Sequence, residues 1–403
     1  MDLDDAAEEL AGRLGVPVVI LDEDMHLVTH SSQDADLDRA QLSIILTRRG
    51  TAGAINAIRA LRVDRATGPV RLPPERDVPA HMALALRHSG TTFGYVTFQD
   101  LDPAALDDEM LAMLERASDE IGKLLALRRD DRRVAARRER QLLGMLVSSA
   151  PEDRAAAASA ILNERLLPHA GDYAVAVVRG IGPNVPGTDR AALSDAVRSA
   201  ARLSPIASLS GVIGDVGVIV LAHEPDQPLM ERFEAAPQLA AVRIGVGEPC
   251  NRLEGAVRSY RQAELACRVV QRDSGYGRAA RWRDLGWNGL LVQLPLDEIT
   301  ISELPPAVAE LLTAPDRDHL IEAIECYLDT RGNAMETARR LRIHRSTLYY
   351  RLDQVRAATG SDLASSASLR ELDLGLRVAR LAGWLSGLDA RPVDEPQTRS
   401  RRS

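Results

Sequence analysis

The chain has 403 residues, 45% of them hydrophobic and 27% charged, with a formal net charge of −8. That is an ordinary soluble balance, and the length predicts two or three domains. Three widely spaced cysteines (Cys250, Cys267, Cys326), with no CxxC or Cys/His ligand pair, argue against a disulfide framework or a metal site.

The N-terminus, MDLDDAAEEL, is acidic and polar, unlike a signal peptide, and no run of about 18 apolar residues suggests a membrane span. A cytoplasmic protein is therefore expected. A single lysine, Lys123, stands among the 50 basic residues. With the alanine richness, this suggests a GC-rich genome of actinobacterial type, so arginine content by itself says nothing about phosphate binding.

Residues 1–127 read as a first domain. A helix is expected from about Asp4 to Leu14, then a buried strand at Val16–Asp22 with Leu27–Ser31 as its hairpin partner. His81–Leu86 and Thr92–Phe98 flank a Ser89-Gly90 turn and form a second hairpin. A helix follows from Pro103 to about Leu127. Helix, hairpin, irregular middle, hairpin, helix is the order of a GAF- or PAS-like α+β sensor, and "VPVVILDEDMHLVTHSSQD" resembles the N-terminal sensor of actinobacterial PucR-like regulators. Residues 128–150 are expected to be a charged linker helix, either a long signalling helix continuing the sensor's last helix or a merely solvated one.

Residues 151–292 read as an α/β domain. Tyr173–Val178, Val212–Leu221 and Val242–Val246 are expected strands, and Asp153–Asn163, Asp189–Leu203 and Leu253–Arg272 are expected helices. The order is similar to the degenerate GGDEF-like domain of CdaR-type regulators. Gly211-Val212-Ile213-Gly214-Asp215-Val216-Gly217 falls at the hairpin where active cyclases carry GG[DE]EF, and one Asp without a following acid argues against cyclase activity. Ile244-Gly245-Val246-Gly247 lacks the third glycine and the spacing of a dinucleotide loop and reads as a strand-ending turn. Trp282 and Trp287 are expected to be packing residues.

Residues 293–385 carry the strongest signal, in GNAMETARRLRIHRSTLYYRL from Gly332 to Leu352. Leu304–Thr313 and Arg317–Thr330 are expected helices before it. Asn333 is an N-cap, and Glu336 completes a capping-box pattern. Ala338, Leu341 and Ile343 supply the apolar side of the first helix and its turn, Arg342-Ile343-His344. Leu348, Leu352 and Val355 share one face of the second helix. Two short helices joined by so tight a turn form a helix-turn-helix. With Leu348 inward, Ser346 and Tyr350 point outward, flanked by Thr347 and Gln354 on one side and Tyr349 and Asp353 on the other. Arg345 lies in the first turn, where an arginine can bond guanine N7 and O6 together. From Arg331 to Arg356 there are seven arginines against two acids in a chain that is acidic overall, the footprint of a phosphate-facing surface.

The pattern G-N-x-x-x-x-A-x-x-L-x-I-x-R-x-T-L-x-x-R-L resembles the Fis-type helix-turn-helix. The stretch from Leu320 to Leu381, with its Thr359-Gly360-Ser361-Asp362-Leu363 turn, resembles the C-terminal domain of PucR/CdaR-family bacterial transcription regulators. The resemblance implies that His344, Arg345, Thr347, Tyr349, Tyr350 and Arg351 lie at or beside DNA. The sequence departs from the pattern at Arg342, where glycine is common, and at Tyr349 and Tyr350, where basic residues are frequent. The tail, 386–403, is rich in Pro, Arg and Ser and is expected to be disordered.

His26, His30, His81 and His88 are scattered without ligand spacing, and no G-x-S-x-G surrounds Ser31 and Ser32. No catalytic residue, metal or cofactor is assigned. The chain therefore reads as a multidomain α/β and all-α regulator. It combines a GAF-like sensor for an unknown small-molecule effector, a degenerate GGDEF-like domain, and a helix-turn-helix for an operator in double-stranded DNA. It is expected to act as a homodimer or higher homo-oligomer without membrane contact. The expected DNA face is His344, Arg345, Ser346, Thr347, Tyr349, Tyr350, Arg351 and Gln354. The alternatives are a nucleotide or cyclic-dinucleotide signalling protein and a protein-interaction scaffold.

Overall fold

The computed structural model describes residues 2–31, 38–74, 80–101, 106–181 and 190–385. The expected tail and Ser32 lie outside the described residues. The chain divides into two compact units, Met1–Arg137 and Arg138–Ser403.

In the first unit, α1 (Leu3–Leu14) starts at a reciprocal capping box between Asp2 and Asp5. It is followed by β1 (Val18–Asp22), β2 (Leu27–His30), α2 (Arg39–Thr47), α3 (Ala52–Ala60), β3 (Val70–Leu72), β4 (His81–His88) and β5 (Thr91–Gln99). The strands form one antiparallel sheet in the order β2-β1-β5-β4-β3. Both faces are covered, which is why β1 is apolar from Val18 to Leu21. Val18 and Ile20 face a core with Leu10 of α1 and Leu114 and Ile121 of the following helix. Val19 and Leu21 face the opposite way, with Ile44 of α2 and Ile58 of α3. The irregular middle of the sequence thus contains two short helices that cover the second face.

The next helix, α4, runs unbroken over 39 residues, Asp108–Leu146. Of the two readings the sequence leaves open for residues 128–150, a helix continuing the sensor's last helix and a separate solvated linker, the continuous helix is the one formed. No proline or glycine interrupts Lys123–Leu143, so nothing local ends the helix.

The second unit contains α5 (Pro151–Asn163), β6 (Ala174–Gly180), α6 (Arg190–Leu203), β7 (Ser208–Ile213), β8 (Val216–Leu221), α7 (Gln227–Ala235), β9 (Val242–Val246), α8 (Ala256–Arg272) and β10 (Ala279–Arg281). Its sheet order is β10-β9-β6-β8-β7, with only β10 and β9 parallel. Alternation along β6 sends Val175 and Val177 to the α5 and α8 side and Ala176 and Val178 to the α6 and α7 side. Gly245 and Gly247 lie beneath α8. A Cβ on Gly245 would come 2.1 Å from the Ala263 carbonyl oxygen, and one on Gly247 would come 1.9 Å from that of Ser259. Gly245 lies within β9 rather than in a turn, and these glycines serve close helix–strand approach.

The helices α9 (Trp287–Leu291), α10 (Pro306–Thr313), α11 (Arg317–Asp329), α12 (Ala334–Arg340), α13 (Arg345–Thr359) and α14 (Ser366–Leu381) share one core. That core also takes in Ala266, Val269 and Val270 of α8 and Val292, so it is continuous across the domain boundary expected at residue 293. Trp282 packs against it, but Trp287 is 72% exposed, which corrects the expectation that both tryptophans pack. At the short α9, the inward positions go to Asn288 and Gly289.

Candidate nucleic-acid interface

The site is built on α12, a four-residue turn and α13. Asn333 caps α12, its side chain accepting from the Met335 and Glu336 amides at 3.1 Å each. The expected return arm of a capping box is not made. Glu336 instead accepts from Arg339 at 2.7 and 2.8 Å and from Arg340 at 3.1 Å, and those hydrogen bonds hold its carboxyl down to about 2. Two charged donors at i+3 and i+4 outcompete one neutral amide. Thr337, which the periodicity had not marked, is fully buried. Its hydroxyl hydrogen-bonds the Asn333 carbonyl at 2.8 Å and meets Thr330 Oγ1 at 2.6 Å.

The turn explains the glycine preference at position 342. Arg342 has φ 55°. The Ile343 amide donates to the Ala338 carbonyl, and the Arg342 amide donates to that of Arg339. This is a Schellman ending, whose left-handed residue is usually glycine. Here a non-glycine residue bears the strain, about 1 kcal/mol. Leu341 and Ile343 are half-buried against the core, and Ala338 is fully within it.

His344 caps α13, with Nδ1 3.3 Å from the Ser346 amide and 2.8 Å from its hydroxyl. Leu348, Leu352 and Val355 turn into the core. His344, Arg345, Ser346, Thr347, Tyr349 and Tyr350 are exposed together along the opposite face. No hydrogen bond or ion pair within the described residues holds the Arg345 guanidinium. Gln354 is half-buried and donates to the Tyr350 hydroxyl at 3.4 Å. Arg351 does not share this face. It points back to Glu322 of α11 at 3.3 Å. Arg380 of α14 makes a second anchor, reaching Glu325 at 2.7 and 2.8 Å.

The other candidate chemistry is dispersed. His26, His81 and His88 each face a different carboxylate, those of Asp22, Asp38 and Asp119. The Ser31 hydroxyl accepts from the Val18 amide at 3.0 Å, a structural role. Among the described residues, no group of three His, Cys, Asp or Glu side chains is placed to hold a metal. The β7–β8 turn presents Asp215 on its own, 3.5 Å from Arg179, which also binds Glu264.

This geometry is that of a helix-turn-helix protein. Residues 320–378 match the PucR C-terminal helix-turn-helix domain, and residues 166–269 match the GGDEF-like domain. The C-terminal domain is thus of the PucR helix-turn-helix type, and the domain before it is GGDEF-like. It is 25% identical over 183 residues to the purine catabolism regulatory protein of Bacillus subtilis (strain 168), a match covering 42% of this chain and 34% of that protein. The chain therefore spans about a third of that relative's length. A solved structure of a regulator of polyketide synthase expression from Bifidobacterium adolescentis aligns with 61% of this chain and 98% of its own, at 20% identity and a TM-score of 0.28. Among the described residues, no helix is long and apolar enough to cross a membrane.

Proposed function

We propose that the chain is a DNA-binding transcription regulator of the PucR type, in which a GAF-like first unit senses a small molecule and α13 reads an operator. The observation that carries this reading is the solvent-facing row on α13. An unpaired Arg345 stands in its first turn, and hydroxyl donors from Ser346, Thr347 and Tyr350 stand around it. Arginine in that turn suits bidentate contact with guanine, and hydroxyls suit phosphates. Arg351 is excluded from the proposed contact set because Glu322 holds it inward.

One helix-turn-helix buries little surface, and two-fold dimers on half-sites about 34 Å apart are the usual solution. A homodimer fits α4, where Leu127 and Val134 are exposed one heptad apart. The GGDEF-like domain is assigned a non-catalytic role, because a lone Asp215 paired with Arg179 lacks the acidic cluster that metal-assisted nucleotide chemistry requires. A cytoplasmic location follows from the DNA-binding role.

The test is a mobility shift on the upstream DNA of the gene, comparing wild type with Arg345→Ala at two salt concentrations. Wild-type binding should fall steeply with salt. The variant should lose about 1–3 kcal/mol of specific affinity. Equal affinity in a folded Arg345→Ala protein would remove Arg345 from the reading. Salt-insensitive or absent binding by the wild type would favour a protein-interaction module.

A further inference from the structure

A cavity of about 370 Å³ lies in the first unit, bounded by α2, α3 and the sheet face opposite α1. Its wall is mainly aliphatic, from Ala40 and Ile44 of α2, Ala54 and Ala57 of α3, and Leu72 of β3. Strand alternation puts Thr97 and His81 on this same face, beside Tyr95 and Ala83.

Most of the polar groups at the wall are already engaged. The Gln41 side chain donates to the Pro17 carbonyl at 3.2 Å and accepts from the Asp38 amide at 3.3 Å. The Thr51 hydroxyl caps α3. His81 Nε2 lies 2.8 Å from Asp38 Oδ2, while Asp38 Oδ1 takes the Ala40 and Gln41 amides. Thr97 differs. It is 3% exposed and lines the cavity, and its hydroxyl has no partner among the described residues. Its hydroxyl opens on the cavity, where a bound group can pair with it as donor or acceptor.

The lining also limits charge. Among the described residues it contains no Arg, Lys, Asp or Glu, and the one side chain there able to carry positive charge, His81, already faces a carboxylate. An anionic ligand would lose its hydration and find no counter-charge. A void of this size with mainly apolar walls and few free polar groups, Thr97 on the sheet and Asn56 at the exposed side of α3, matches the usual design of small-molecule sites.

We propose that this cavity is the effector site, and that it takes an uncharged, largely apolar small molecule with a single hydroxyl or carbonyl group hydrogen-bonded to Thr97. The term effector rests on the regulator reading above; the site and its ligand class do not. Nucleotides and carboxylate metabolites fall outside this class. An effector acts by binding one arrangement of the protein more tightly than another.

The experiment uses the full chain and matched neutral and anionic probes: 2-naphthol with 2-naphthoate, and cyclohexanol with cyclohexanecarboxylate. Binding is followed by calorimetry and by thermal shift. At least one neutral probe is expected to bind one per chain, at least about tenfold more tightly than its carboxylate partner. Ala57→Phe, which fills the cavity, should abolish that binding. Thr97→Val, which removes only the hydroxyl, should weaken it about fivefold to tenfold, the worth of one neutral hydrogen bond. Should Ala57→Phe not fold, Ala54→Leu narrows the same cavity.

The proposal is overturned if no neutral probe binds, if a carboxylate binds as tightly as its neutral partner, or if a folded cavity-filling variant binds unchanged. The mobility shift on the same preparation keeps the two readings separate. DNA binding without probe binding removes the cavity proposal alone. Probe binding that follows the variants, without DNA binding, leaves the site standing and removes the regulator reading.

Discussion

Arg351 of α13 and Glu322 of α11 meet at 3.3 Å beneath the recognition helix, with side chains 18% and 34% exposed. The pair anchors α13 to the helix before the motif. Arg351→Ala is therefore expected to act on stability rather than on readout. Partial burial puts the loss near about 1 kcal/mol, above the usual value of an exposed pair and below that of a buried one. Urea unfolding would show it as a lower midpoint. Operator affinity per folded molecule should stay within about threefold of wild type. A loss as large as that of Arg345→Ala would return Arg351 to the DNA face.

Tyr350 makes the opposite case. It is 65% exposed, and its hydroxyl is approached by Gln354 at 3.4 Å. A phenol at this site can donate to a phosphate, which positions the helix without reading sequence. Tyr350→Phe should weaken binding to specific and unrelated DNA alike, by about 0.5–1.5 kcal/mol. Fluorescence titrations on an operator and a scrambled duplex would measure both. A loss confined to the operator would make Tyr350 a base reader.

Legibility in the sequence followed the range of the interactions involved. Leu348, Leu352 and Val355 were readable because one amphipathic helix repeats its pattern within a few residues. The hairpin strands β4 and β5 were readable for the same reason. Arg351 was misplaced because its partner is 29 positions away, and helical phase alone puts it on a polar flank. Strand β10 has three residues, Ala279–Arg281, and owes its pairing to β9. The cavity depends on α2 and α3. Their local marks were an Asp38–Gln41 capping box and a Thr51 N-cap, in a stretch that otherwise resembles loop. Thr97 sits in a strand where a threonine is unremarkable until the helices close over it.

The approach of α8 to β9 gives a sharp contrast between two glycines. Gly247 donates its amide to the Val175 carbonyl at 2.9 Å, and Ser259 takes the Val175 amide at 2.9 Å. A methyl at Gly247 would strike the Ser259 backbone. Gly247→Ala should cost about 3 kcal/mol or more, since backbone on both sides must move. Gly144, in the helix α4, has nothing within 4 Å of a Cβ. Gly144→Ala should raise stability by about 0.5–1 kcal/mol through helix propensity. Thermal unfolding of the two variants beside wild type tests the pair, and similar effects in both would contradict the close packing.

The same interface holds Cys267, fully buried, with its sulfur 3.3 Å from the Arg243 carbonyl oxygen. Burial pushes its thiol from 9.0 up to about 12. A raised folded value means the folded state favours the protonated thiol. Its contribution is therefore complete below about pH 9 and is lost progressively as pH rises toward about 12. Alkaline destabilisation over that window should be shallower in Cys267→Ala than in wild type, measured as urea midpoints at successive pH values. In the native protein at pH 8, Cys267 should also resist a thiol reagent that labels it fully after unfolding. Rapid native labelling of Cys267, or an alkaline limb unchanged by the substitution, would mean that the α8–β9 interface opens far more readily than its packing implies.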